Sequence, residues 1–259
     1  MTPDVLTKSW RGWLLPLFVL AASEVWFLFN PILSDTLAPP SKIVLGAIET
    51  MTDGTFLRTT YQTLIAAAAG LLIGMSAGTA CGIVIGLLRT ADRLSSWSVE
   101  MLRPIPSVAL IPLSLLTFGY GYRMEYAVVA WATFWPFLIL TQHALKQIDV
   151  RLIEVSRLMG FGIFSRIFKI MLPAAAPRLF TALRLAVGLS LVVSVTVEIA
   201  ANPQGLGYGL MVSQESLRPD RMFALMIWVG ILGWALNYFL VRLEGLLFAH
   251  RVPGQAAEA

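Results

Sequence analysis

The chain is 259 residues long, 57% apolar and 13% charged, with a net charge of +4, which is about half the charge content of an ordinary soluble domain. That much apolar surface cannot be wrapped in a polar shell, whereas lipid accepts apolar side chains on every outward face of a helix. The 19 Lys and Arg residues are scattered between apolar runs, which argues against nucleic acid as a partner, and the single Cys81 excludes an internal disulfide framework.

Stretches apolar enough to cross about 30 Å of hydrocarbon fall at 12–30, 59–88, 104–118, 124–141, 176–200 and 222–245. They predict an all-α polytopic membrane protein with about six transmembrane helices, one domain over residues 1–259. Trp10, Trp13 and Trp26 fall where interfacial belts belong. Residues 8–23 also mimic a secretory signal, with a basic start, an apolar centre and Ala21-Ala22-Ser23, so cleavage is a second reading of that segment. Glu24, in the first span, reads as an interfacial or interhelical contact. Past it, Pro39-Pro40-Ser41 precedes Ile43, Val44, Ala47, Ile48 and Met51 at helical spacing. This predicts a short helix on the outer membrane surface with Ser41 as its N-cap.

In the second span Gly70, Gly74, Gly78, Gly82 and Gly86 recur every fourth residue. Such a stripe lets another helix approach closely, and a smooth face could also slide during conformational change. Pro104, Pro106 and Pro112 interrupt backbone donation around the third span and Pro136 does so in the fourth, as static bends or as parts of a gate.

The segment from about 143 to 175 reads as amphipathic helices around a glycine turn. Ile148, Leu152, Val155, Leu158 and Met159 keep helical spacing after a capping Asp149, and Gly160 and Gly162 break the run. Ile163, Ile167 and Ile170 restart it until Pro173. A helix-turn-helix between spans suits docking to a partner, and capping of the bundle is the alternative.

In the fifth span Ser190, Ser194 and Thr196 lead to Glu198 near the outer end. They are candidates to line a pathway, although Glu198 could equally be an interfacial acid or pair with an Arg. Arg184, nearer the inner end, could pair within the bundle or attract an anion. His143 and His250 lie far apart without acidic partners at ligand spacing, so no metal is expected. No phosphate-cradling Gly-x-x-x-x-Gly-Lys-Ser/Thr loop and no Ser, His and Asp arrangement occurs. The chain is therefore expected not to be an enzyme and to carry no cofactor. With the N-terminus cytoplasmic, eleven Lys and Arg fall on inner segments and five on outer ones. The positive-inside rule then puts both termini in the cytoplasm.

The 143–175 segment resembles the cytoplasmic signature of permeases from binding-protein-dependent ATP-binding-cassette importers: Glu-Ala-Ala, three residues, Gly, nine residues, Ile, one residue, Leu-Pro. The match falls at Glu154, Gly160, Ile170, Leu172 and Pro173 with every spacing kept, and Val155 and Ser156 stand in place of the two alanines. Segments 38–44, 103–113, 118–121, 183–186 and 205–208 look like recurring segments of the permeases for aliphatic sulfonates, taurine and nitrate.

The resemblance implies a type I importer permease in the bacterial cytoplasmic (inner) membrane. It implies a second permease subunit, most simply an identical one, two ATPase subunits that bind the ATP, and an extracytoplasmic substrate-binding protein. It further implies that Glu154, Ser156, Arg157, Leu158, Gly160, Phe161 and Pro173 form the ATPase-coupling segment, and that the solute is a small anion. Heterocyclic vitamin precursors and aromatic acids are cargoes of related permeases. An ion-coupled secondary transporter is the rival class, but mid-membrane coupling charges and internally repeated broken helices are not evident.

Overall fold

The computed structural model describes residues 11–29 and 36–248. Lys8, Trp10, His250, Arg251 and both termini lie outside the described residues, as does the side chain of Trp13. The described chain is helical: α1 Arg11–Phe29, α2 Pro40–Thr52, α3 Thr55–Leu87, α4 Arg89–Leu102, α5 Ile111–Phe118 and α6 Tyr122–Lys146. There follow α7 Val150–Leu158, α8 Ile163–Ala200, α9 Gly205–Glu215 and α10 Pro219–Phe248.

Among the described residues, α3, α6, α8 and α10 are each long and apolar enough to span a bilayer. The other two predicted spans take different forms. Helix α1 is a shorter apolar helix. The 104–118 stretch is half of a broken unit, in which α4 meets the Ser107–Phe118 segment at 86°. Pro104 and Pro106 sit in that break, where their missing N–H groups would have left a continuous helix short of hydrogen bonds. Helix α4 itself is amphipathic. Leu94, Trp97 and Met101 are exposed on its apolar face, and Asp92 on its other face pairs with Lys146 of α6 at 2.8 Å.

The core is α3 packed on α6, with α8 against both. The glycine stripe sets the register. A side chain at Gly70 would meet Val129, at Gly74 Thr133, at Gly78 Phe137, at Gly82 Thr141 and at Gly86 Leu145. Each step of four on α3 is matched by a step of four on α6, so the two helices run parallel. The Gly74, Gly78 and Gly82 positions face the carbonyls of Ala130, Phe134 and Leu138, close enough for the Cα–H contacts that help hold helices together in lipid.

Helix α2 starts one residue before the expected cap. Pro39 takes the N-cap position, Pro40 follows as N1, and no side chain caps the helix. Ser41 is committed elsewhere: its hydroxyl donates to Glu24 Oε1 at 2.7 Å and its backbone N–H to Oε2 at 3.0 Å. Glu24 is thus an interhelical contact joining α1 to α2. Gly46 of α2 lies against the backbone of Asp220 at the start of α10, where a Cβ would come within 2.8 Å of the Asp220 carbonyl carbon. Around that crossing Arg218 and Arg221 pair with Glu49, and Arg218 also with Asp220. The two guanidiniums hold the Glu49 carboxyl below its ordinary value of 4.5.

Candidate functional site

Two groups of residues stand out, at opposite ends of the bundle. The first is the elbow between α6 and α8. Asp149 caps α7 by accepting the Arg151 N–H at 2.9 Å. The helix then closes with paired bonds, Gly160 N–H to Arg157 O and Phe161 N–H to Ser156 O, both 3.0 Å. That is a Schellman ending, which needs a left-handed residue after the cap. Gly160 supplies it with φ +74°.

The elbow has a buried underside and a bare upper face. Ile148, Ile153 and Ile167 pack against a core of Ala144, Leu145, Met171 and Ala175. Ser156 is fully buried and donates to Ile153 O at 2.6 Å, so a small residue is required at that signature position. Glu154 and Arg157 are exposed, Leu158 is 87% exposed, and Met159 and Phe164 are also exposed. Phe161 is half-buried, with Lys169 over its ring at 5.8 Å and its carbonyl accepting from Arg166 at 3.1 Å.

Pro173 does not end the restarted helix, as the sequence suggested. Helix α8 runs through it to Ala200, with a π-helical turn over Ile167–Met171. Proline removes one backbone donor and crowds the carbonyl four residues back, and the wider π turn just before it absorbs both effects.

The second group is a buried polar network at the other end. Glu198 of α8 accepts from Thr63 of α3 at 2.7 and 3.0 Å and from the Gly207 N–H at 2.8 Å. The Leu206 N–H donates to Thr63 Oγ1 at 2.9 Å and the Gly205 N–H to Gln62 Oε1 at 3.1 Å. Three of the unpaired N–H groups that begin α9 are therefore satisfied by side chains of α3 and α8. The glycines are dictated by this arrangement. A Cβ at Gly205 would strike the Glu198 carboxyl, one at Gly207 would come within 2.7 Å of Glu198 Cβ, and Gly205 has φ +83°.

Asn202, in the turn after α8, extends the network to α6. Its amide donates to Glu125 Oε2 at 2.8 Å and its oxygen accepts the Gly121 N–H at 2.9 Å. Glu125 and Glu198 are neighbours, each almost fully buried, and Ser194 sits beside the Glu125 carboxyl. Ser190 is buried one turn deeper and donates to Val187 O. Within a single chain, Ser190, Ser194 and Glu198 thus face the bundle interior. Arg184, by contrast, is exposed, and pairs with Asn237 at 3.2 Å and Glu244 at 3.7 Å, both of α10. Reading the sequence missed Glu125, Asn202 and α9. The available signal was an acid one turn into an apolar run, followed far downstream by Asn-Pro-Gln-Gly.

Comparison with known proteins gives a consistent answer. Residues 70–251 match the model of the binding-protein-dependent transport system inner membrane component. The putative aliphatic sulfonates transport permease SsuC of Escherichia coli K12 is 32% identical over 236 residues, covering 87% of this chain and 88% of that one. Its Bacillus subtilis counterpart is 29% identical over 241 residues, covering 93% and 87%. The nitrate import permease NrtB of Synechocystis is 28% identical over 188 residues, covering 71% and 68%. Among solved structures, an inward-facing form of the MetNI methionine ABC transporter superposes with a TM-score of 0.62 at 21% identity, covering 74% of this chain and 93% of that one. The chain belongs to the binding-protein-dependent transport system inner membrane components, the membrane-spanning permeases of ATP-binding-cassette importers.

Proposed function

We propose that this permease forms half of an importer for a small organic or inorganic anion, a sulfonate or nitrate. A second copy completes the pathway, two ATPase subunits bind beneath it, and a soluble binding protein delivers the solute from outside. ATP is bound and hydrolysed by the partner subunits. The elbow end faces the cytoplasm, in keeping with the eleven-to-five distribution of basic residues, and the Glu125–Glu198 network lies toward the outside.

The observation that carries this reading is the elbow itself. A capped helix, closed by a Schellman turn and packed underneath on α6 and α8, presents Leu158 and Met159 bare at its tip. Rigid backbone with apolar side chains exposed at its end is what a lever needs in order to seat in a groove of another subunit. Glu154 and Arg157 flank that tip and can orient it through charge-assisted contacts. Gly160 allows the sharp turn close to the partner's surface. The substrate class rests on the relatives named sulfonate and nitrate permeases.

Reconstitution tests the proposal. The permease, its ATPase and its binding protein are placed in lipid vesicles with ATP enclosed. Sulfonate or nitrate added with the binding protein should stimulate hydrolysis and accumulate inside. Hydrolysis indifferent to every anion, with uptake of a neutral or cationic solute, would overturn the substrate class. Absence of ATP-dependent uptake of any solute would overturn the coupling.

A further inference from the structure

At the end opposite the elbow a half-enclosed cavity of about 340 Å³ opens between the ends of α2, α3, α9 and α10. Its polar lining includes Arg58, Arg221, Gln62 and Tyr208, and among the described residues no carboxylate lines it. Arg221 is anchored from behind by Glu49 and Asp53, which fixes its guanidinium at the cavity wall. Arg58 forms no ion pair among the described residues. Gln62 turns its oxygen to the Gly205 N–H, which leaves its NH₂ end for a ligand. The opposite wall is apolar, with Leu225 and Val212.

We infer that this cavity is a binding site for a small organic sulfonate, an oxyanion head held by Arg58 and Arg221 with a short carbon tail against Leu225 and Val212. This rests on the proposed import function and deepens it by giving the solute its first station on the permease. The chemistry is specific in three respects. Two guanidiniums and an amide supply N–H donors suited to the oxygens of an anion, and guanidinium is the side chain best matched to them. The Arg58 guanidinium has no carboxylate partner among the described residues, so a bound anion supplies its counter-charge. A volume of this size suits a solute of several heavy atoms with an apolar part, and a bare nitrate would leave most of it empty.

Position adds a consequence. Gln62, Gln204 and Gly205 line the cavity and also belong to the hydrogen-bonded network around Glu125 and Glu198. A sulfonate in the cavity therefore touches the start of α9 directly.

The test uses the full-length permease in lipid nanodiscs with ethanesulfonate as the probe and dimethyl sulfone as its neutral control, measured by titration calorimetry. Arg58→Gln removes a charge that leaves no buried partner behind, and Val212→Trp fills the cavity from its apolar side. Ethanesulfonate should bind, dimethyl sulfone should not, and added salt should weaken binding. Arg58→Gln should raise Kd by roughly tenfold to a hundredfold, Arg58→Lys should recover part of that loss, and Val212→Trp should abolish binding.

Absence of ethanesulfonate binding at millimolar concentration would overturn the site, and so would equal binding by both variants or by the neutral sulfone. Vesicle uptake separates this inference from the function it rests on. Sulfonate import undiminished in both variants would remove the site and keep the function. Arg58-dependent binding without import of any sulfonate would keep the site and remove the function.

Discussion

Placing a single methyl group on the α3 stripe gives a quantitative check of the α3–α6 contact. In Gly82→Ala the new Cβ would lie 2.7 Å from the Leu138 carbonyl oxygen and 2.7 Å from Thr141 Cβ. Ordinary contact begins at 3.4 Å, so the deficit is 3.4 − 2.7 = 0.7 Å. A backbone carbonyl cannot rotate aside, so the helices must part locally by about that amount. A gap of roughly 0.5–1 Å forfeits a quarter to a half of each affected dispersion contact, and overpacking of this kind costs about 1–3 kcal/mol.

Alanine's better helix propensity returns up to ~1 kcal/mol, so the net loss should be about 1–2 kcal/mol. Gly86→Ala is the matched control on the same stripe. Its nearest neighbours are Leu145 Cβ and Cδ1 at 3.3 Å, barely inside the 3.4 Å of ordinary contact, so propensity should cancel the cost. Thermal melts of the detergent-solubilised permease, followed by fluorescence-detected size exclusion, should show Gly82→Ala lower by roughly 2–8 °C and Gly86→Ala close to the parent. Equal melting of both variants would refute the reasoning.

Gly78→Leu, which would drive a side chain into the Phe134 carbonyl and Phe137, should go further and prevent recovery of the assembled complex. Gly160→Val has open space around it but must hold φ +74°, at a cost of about 1–2 kcal/mol. It should insert normally yet show ATP hydrolysis uncoupled from uptake, whereas Gly160→Asn, which tolerates that backbone, should retain coupling. Asn202→Leu leaves the Gly121 N–H without its acceptor and Glu125 Oε2 with only the longer 3.5 Å contact to Gln204, and should cost about 1–3 kcal/mol, read as a fall in melting temperature. For Glu49, the folded carboxyl titrates below its ordinary 4.5, so its contribution is fully present above that value and lost as pH falls through the lower folded pKa. The stability gap between the parent and Glu49→Gln should therefore close on acidification below pH 4.5; a constant gap would contradict the ion pairs.

What could be read from the sequence was whatever depends on local periodicity. The glycine stripe, the apolar runs and the Asp149-to-Gly160 elbow are each set by residues within a few turns of one another. The α3–α6 pairing was a further step. A stripe announces close packing but not its partner, and the matching positions on α6 are Val, Thr, Phe, Thr and Leu, which share no distinctive type.

The Glu125–Asn202–Glu198–Thr63 network was hidden for a related reason. Its bonded partners Thr63 and Glu198 are 135 residues apart, and each member alone is an ordinary polar residue near the end of an apolar run. Proline misled in both directions. Pro40 began a helix where Ser41 seemed the better cap, and Pro173 passed inside a helix because a π turn made room for it.

In the proposed mechanism, energy from ATP enters through the exposed tip of α7. Cys81 is exposed and must first be replaced by Ser. Leu158→Cys, paired with single cysteines on the ATPase, can then be oxidised in native membranes. A disulfide between Leu158→Cys and the ATPase should form with a yield that changes with nucleotide, and uptake should stay blocked until the bond is reduced. Failure of residues 150–165 to crosslink to the ATPase in any nucleotide state, with the complex otherwise intact, would contradict it.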